Sequence, residues 1–324
     1  MDLRLALLEL AAQHHLTAEA TARLAALGDT NAEPSQLGRR VPFGVVILGA
    51  ALGGLGIIFW IAANWDLLSR GGRFALLQAV IVVMCTGALL RPAARVPLSV
   101  LALLGIGGLF AYFGQTYQTG ADPWQLFALW AALSLPLCLG VRHDALWAPW
   151  ALVAMSAISL WIHAYSGHTW RVEASDLAVH LAGWSMALLL TIAASPAFSR
   201  YTGAGLATLR ISLILASIIV TITAAIGLFS THVAPQYSLG LLMLGAAATV
   251  FSQPRFLDIF ALSAVGLGLN ILLVCGAARW LFNDNSRMSV LPLLLIGLIA
   301  AGLLASTVTL IMKLAQLQAQ GAQA

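Results

Sequence analysis

The chain is predicted to be all-α, a polytopic bundle of about ten transmembrane helices preceded by a small helical hairpin. Of its 324 residues 60% are hydrophobic and only 9% charged, against roughly 25% charged in a soluble domain. Apolar stretches recur along the chain, each about as long as the 17–25 residues that carry a helix across a hydrocarbon core of about 30 Å. Lipid offers backbone amides no partner outside a helix or a closed barrel, and the two-residue alternation of barrel strands is missing.

In chain order, residues 3–14 place Leu3, Leu7, Leu10 and Ala11 on one helical face, and Thr17 can cap a second helix that reaches Leu27 and stops at Gly28. Residues 1–40 therefore read as a cytoplasmic amphipathic hairpin with a linker, Asp29 to Ser35, leading to Arg39 and Arg40 at the membrane surface. Such a hairpin rests on the membrane or the bundle, or docks a protein partner. No cleavable signal peptide is expected, and the first span should act as an uncleaved anchor.

The transmembrane domain, 41–313, divides into spans at about 43–63, 73–90, 97–114, 124–140, 145–163, 177–195, 209–229, 236–251, 256–275 and 290–312, followed by a tail at 314–324. The eighth is short and flanked by Pro235 and Pro254, so nine is the rival count. Charge favours ten. With ten spans one side of the membrane carries Arg4, Arg23, Arg39, Arg40, Arg91, Arg95, Arg142, Arg200, Arg210, Arg255 and Lys313, and the other only Arg70, Arg73, Arg171, Arg279 and Arg287. Basic residues near span ends favour the cytoplasm, which places both termini there. The positive balance thus reports topology and attraction to anionic membrane lipids, and no nucleic-acid partner is expected. Cys85, Cys138 and Cys275 are isolated within apolar runs and read as packing residues.

With this topology Asn64, Gln78, Gln115, Gln118, Asp122, His163, His180 and Asn270 fall at or near span ends on the non-cytoplasmic side. A polar group in hydrocarbon is costly unless it is paired or faces water. These residues are expected either to line an outward vestibule or to be interfacial groups in short turns. The segment from Gly114 to Trp124 concentrates the question. Asp122 before Pro123 fits a helix cap and Trp124 an interface belt, while Gln115, Tyr117 and Gln118 are candidate ligand contacts. Asn64 and Asp66, around Trp65, could meet the same link.

A second constellation is His163, His168, Glu173, Asp176 and His180. Asp176 and His180, four apart, share a helix face, which suits a carboxylate-oriented imidazole, the edge of a metal site, or simply a capping Asp176 in a solvated loop. No metal or cofactor is called for. The glycine sets Gly49, Gly53, Gly54 and Gly56, then Gly105, Gly107 and Gly108, then Gly266 and Gly268 read as helix-packing faces. Walker, Rossmann and nucleophile-elbow patterns are missing, and Ser156, Ser159 and Ser185 have no base nearby in their spans.

Three features occur in a telling order: the hairpin from Leu8-Glu9-Leu10 to Leu27-Gly28, the span end Trp60-Ile61-Ala62-Ala63-Asn64-Trp65-Asp66, and the run Gly114-Gln115-Thr116-Tyr117-Gln118-Thr119-Gly120-Ala121-Asp122-Pro123-Trp124-Gln125-Leu126-Phe127. Together, over about residues 1–140, they resemble the bacterial predicted membrane protein family of domain of unknown function 2157 (DUF2157). The resemblance implies a multi-span protein of the bacterial inner membrane and brings no catalytic residues with it.

Two functions stand level at this point. One is transport of a small molecule or lipid-linked precursor through the vestibule, lined by Asn64, Gln78, Gln115, Tyr117, Gln118, Asp122 and Asn270. Against it, residues 43–163 and 177–312 show no self-similarity of the kind inverted repeats leave, and no carboxylate lies at mid-membrane. The other is a scaffold, assembly factor or sensor. A head-group enzyme using Asp122, Glu173 or Asp176 comes third.

Overall fold

The computed structural model describes residues 12–14, 16–17, 19–21, 23, 37–64, 68–117, 120, 122–166, 171–195, 197–254, 256–282 and 290–321. Among them lie ten long helices: α1 (Leu37–Ala63), α2 (Arg70–Leu90), α3 (Arg95–Tyr117), α4 (Pro123–Val141), α5 (Asp144–Tyr165), α6 (Leu177–Ala193), α7 (Leu206–Leu228), α8 (Pro235–Ser252), α9 (Ile259–Phe282) and α10 (Val290–Gly321). Short helical turns at Pro92–Ala94, Ala174–Asp176 and Ser199–Thr202 join some of them. No strand occurs among the described residues. Leu294 at 65% exposed and Leu298 at 71% typify an exterior that is apolar where a soluble protein would be charged, so lipid is its solvent.

The chain divides into two compact units, Met1–Ala50 and Ala51–Ala324. In the first, the Thr17 hydroxyl accepts from the Ala20 amide at 3.4 Å, and Arg23 pairs with Glu19 one turn away at 2.9 Å. The expected helices over 3–14 and up to Leu27, like the linker at Asp29, lie mostly outside the described residues.

Each of the ten long helices fills an expected span, and nine of them are long and apolar enough to cross a bilayer. The helix left out is α8, the expected weak one, with 18 residues and polar groups at both ends. Packing supplies what composition does not. Arg210 on α7 pairs with Asp258 at the start of α9, and further along Thr221 lies beside Gly268, so α7 and α9 run parallel. Tyr237 reaches Leu272 while Leu244 reaches Gly268, so α8 runs antiparallel to them. Two consecutive spans that point the same way need a return path between them, and α8 is that path.

Indole and phenol groups stitch neighbouring helices together. Trp130 Nε1 donates to the Leu103 carbonyl at 2.9 Å, Trp150 Nε1 to Ala131 at 2.8 Å, and Tyr237 to Leu272 at 3.1 Å. Half-buried between apolar helices, these donors find carbonyl oxygens with a lone pair to spare. Close approach is allowed by Gly107 under the Trp130 ring and Gly268 against Thr221, as the glycine pattern predicts. Gly53 and Gly56 differ: among the described residues no atom lies within 4 Å of where a side chain would stand.

Candidate functional site

Helices α5, α7 and α9 begin at one end of their group and finish at the other, with α6 and α8 running back between them. At the end where they begin, the Asp144 carboxylate accepts from the amides of Gly205 at 2.8 Å, Ala207 at 3.0 Å and Thr208 at 3.1 Å, and from the Thr208 hydroxyl. Helix α7 starts after Gly205, which has no side chain to cap it; a carboxylate from α5 satisfies those amides instead. Gly203, at φ +72°, brings the turn against the Arg142 carbonyl, where a Cβ would collide with backbone. Asp258 similarly accepts from Phe260 and Ala261 at 2.9 and 3.1 Å and pairs with Arg210 at 3.1 Å. Sequence reasoning assigned neither aspartate a role. The available signal was a helix start with only glycine in the capping position.

The opposite end is arranged around an opening. Residues Arg171, Val172 and Glu173 precede the turn into α6, with Val172 4% exposed and its two neighbours exposed. Glu173 has φ −112° and ψ 159°. Val172 is thus turned to the core while Arg171 and Glu173 stay exposed on either side of it. The Ser230 hydroxyl donates to the Val172 carbonyl at 2.7 Å, Gln236 Nε2 to the Glu173 carbonyl at 2.7 Å, and Arg279 Nη1 to the Ser230 carbonyl at 2.9 Å. These three bonds tie the α5–α6 link, the α7–α8 link and the last turn of α9 into a frame.

Within it lies a cavity of about 580 Å³ lined by Arg171, Glu173, Ala225, Ile226, Phe229, Ser230 and Thr231. One wall carries charge of both signs and hydroxyls, the other is apolar. Beside the frame Gln236 is completely buried, and its Oε1 has no hydrogen-bond partner. Two turns into the core from the start of α6, the Trp184 indole N–H is likewise buried without one.

The second constellation expected from sequence partly belongs here. His180 is 3% exposed, and its Nδ1 lies 2.8 Å from the Asp176 main-chain carbonyl. A carbonyl oxygen can only accept, so in this contact Nδ1 is the donor. The imidazole thus bonds the Asp176 backbone rather than its carboxylate, the carboxylate-oriented imidazole having been one of the alternatives the spacing suited, and this bond fastens the first turn of α6. Asp176 occupies the capping position of α6 without a capping side-chain bond. His163 is exposed in the last turn of α5, and His168 lies outside the described residues. Among the described residues no three His, Cys, Asp or Glu side chains come close enough to hold a metal.

The vestibule residues are more scattered. Asn64 donates to the Trp60 carbonyl of its own helix at 2.9 Å. Gln78 is exposed on α2, and Gln115 and Tyr117 are exposed in the last turns of α3. Tyr117 stacks with Phe113 and Phe74 at 4.9 and 5.8 Å. Asp122 occupies the capping position of α4 ahead of Pro123, but its carboxylate makes no capping bond. Trp124 packs on Tyr165 at 6.2 Å. Trp65, Asp66 and Gln118 lie outside the described residues. Asn270 stands apart: α9 continues to Phe282 beyond the expected end at 275, so Asn270 is mid-helix and 8% exposed. Its Oδ1 accepts from Thr307 of α10 at 3.2 Å. Helix α9 packs on α7, α8 and α10, whereas α3 packs mainly on α2, α4 and α5.

No curated protein and no solved structure matches the chain. The model of the family described as predicted membrane protein (DUF2157) matches residues 8–147, a stretch that takes in α1 to the start of α5.

Proposed function

We propose that this protein is a carrier for small polar molecules in the bacterial inner membrane, with both termini in the cytoplasm and the cleft beside Arg171 and Glu173 as the entry from the outer side. The observation that carries the reading is the cavity itself. It brings an arginine, a glutamate and two hydroxyls to the end of an apolar helical group, at about 580 Å³, within the roughly 300–1,000 Å³ usual for small-molecule sites. Its frame is fastened by hydrogen bonds between three separate chain segments. Buried Gln236 Oε1 and the Trp184 N–H offer polar groups further in, where an unpaired donor or acceptor costs free energy unless a ligand or water engages it.

The orientation rests on the excess of arginine at the end opposite the cleft and on α8 as a full crossing. Asn64, Gln115, Tyr117 and Asp122 fall on the cleft's side in this topology and are candidates for a polar rim around the family-matched half.

The test is efflux from proteoliposomes loaded with a defined metabolite mixture, followed by mass spectrometry. Selective loss of one solute, reduced by Arg171→Ala, is expected. Loss no faster than from protein-free vesicles for every solute rejects the carrier and leaves a scaffold or sensor.

A further inference from the structure

A second cavity, a groove of about 480 Å³, runs between α7 and α9. Its walls are Ile214, Ile218 and Ile222 of α7 and Phe260, Leu267 and Ile271 of α9. All of these but Ile214 are exposed, so the groove opens on lipid. We infer that it binds a membrane quinone, with the ring carbonyls on Ser217 and Thr221 and the chain along the isoleucines.

Ser217 and Thr221 line the groove at 8% and 7% exposed. A hydroxyl inside a helix commonly returns its proton to the carbonyl four residues back, as Thr191, Thr223 and Ser263 do here. Thr221 does not. Its Oγ1 is buried with no hydrogen-bond partner, and it lies so near Gly268 that a Cβ there would stand 2.7 Å away. Ser217, one turn earlier on the same face, also makes no side-chain hydrogen bond among the described residues. An unpaired hydroxyl between apolar walls costs free energy that a ligand acceptor recovers.

Depth selects the ligand. Ser217 is the central residue of α7 (Leu206–Leu228), about 16 Å from either end and hence near the middle of the bilayer. A phospholipid keeps its esters and head group outside the hydrocarbon core, so only its chains reach this level, and they leave both hydroxyls unpaired. A carboxylate or ammonium at this depth loses far more hydration than a hydroxyl restores. The occupant is therefore neutral and lipophilic, with acceptors on an otherwise apolar body. Residues one helical turn apart stand about 5–6 Å from each other at Cβ, close to the separation of the two carbonyl oxygens across a quinone ring. A ring lying edge-on to α7 engages Ser217 directly and Thr221 after rotation about its Cα–Cβ bond.

The test is a scintillation proximity assay on the purified full-length protein in detergent, with tritiated decylbenzoquinone as the probe. Saturable binding is expected, displaced by unlabelled decylbenzoquinone and at least tenfold less well by decylbenzene or dioctanoylphosphatidylglycerol. Ser217→Ala combined with Thr221→Val should weaken binding at least fivefold, the loss of a hydrogen bond or more, while Thr221→Ser keeps it. Ala264→Phe, which fills the groove from α9, should abolish it. Thr221→Val removes a buried hydroxyl that has no partner, so it should melt no lower than the parent protein. The inference is overturned if binding does not saturate, if decylbenzene or the phospholipid competes within tenfold, or if the double variant loses less than fivefold. A lowered melting temperature for Thr221→Val also overturns it, because the hydroxyl would then already serve the fold.

Discussion

Where α5, α7 and α9 begin, Asp144 and Asp258 each satisfy helix-start amides, and Asp258 also holds Arg210, whose guanidinium lies 5.2 Å from the Phe260 ring centre. Where the same helices finish, a framed cavity is lined by Arg171 and Glu173, and among the described residues the Gln236 Oε1 and Trp184 N–H near it find no hydrogen-bond partner. Both ends are built from the same kinds of residue. At the first, charge is consumed by the fold, and removing it should cost stability. At the second, exposed Arg171 and Glu173 line a cavity whose frame is held by main-chain carbonyls, and removing Arg171 should cost solute handling more than stability.

The largest effect belongs to the closed end. Gly203→Ala places a Cβ against the Arg142 carbonyl at a positive φ, and a loss of about 2–3 kcal/mol is expected in thermal or denaturant unfolding of the solubilised protein. Next, Asp144→Ala strips three amides and a hydroxyl of their acceptor; about 2 kcal/mol is expected, the upper range for a helix cap, with Asp144→Asn recovering part of it. Third, a double-mutant cycle of Arg210→Ala with Asp258→Asn should give a coupling of about 1 kcal/mol, because the pair is partly exposed. Smallest, Arg171→Ala and Glu173→Gln should change stability by less than about 0.5 kcal/mol, as exposed substitutions do. If these last two destabilise as much as Asp144→Ala, the distinction between the ends collapses.

Gln236→Leu refines the comparison from inside the cleft. It removes the bond to the Glu173 carbonyl and also a buried oxygen that has no partner. The two effects oppose each other, so about 1 kcal/mol or less of destabilisation is expected. A loss of solute efflux with little change in melting would show the frame positioning Glu173.

The helices were legible because an apolar run long enough to cross lipid has one stable form, and the weak eighth span, short and flanked by prolines, was kept on the distribution of basic residues. Helix ends were less so. The span at 256–275 extends to Phe282 because Arg279 has a carbonyl to bind on Ser230, and a boundary drawn on hydropathy alone placed Asn270 near the surface when it lies at mid-helix. The site was half legible. Glu173, Asp176 and His180 stood out by residue type, but Arg171 was read only for its charge, and Ser230, Thr231 and Gln236 looked like ordinary turn residues. Their meaning comes from contacts across 49 to 63 residues, which no local pattern encodes. The glycines divide on the same ground: Gly107 and Gly268 meet a neighbour, whereas Gly53 and Gly56 meet none among the described residues.

The residue that caps α7 lies 61 residues ahead of the first amide it holds. A chain made from its amino end releases Asp144 well before Gly205 emerges. The acceptor is therefore already standing at the membrane surface when α7 enters, and order of synthesis becomes part of how this helix finds its depth. A circular permutation that opened the chain between α6 and α7 would keep every contact and lose that sequence of events, which makes insertion yield a direct measure of what the timing contributes.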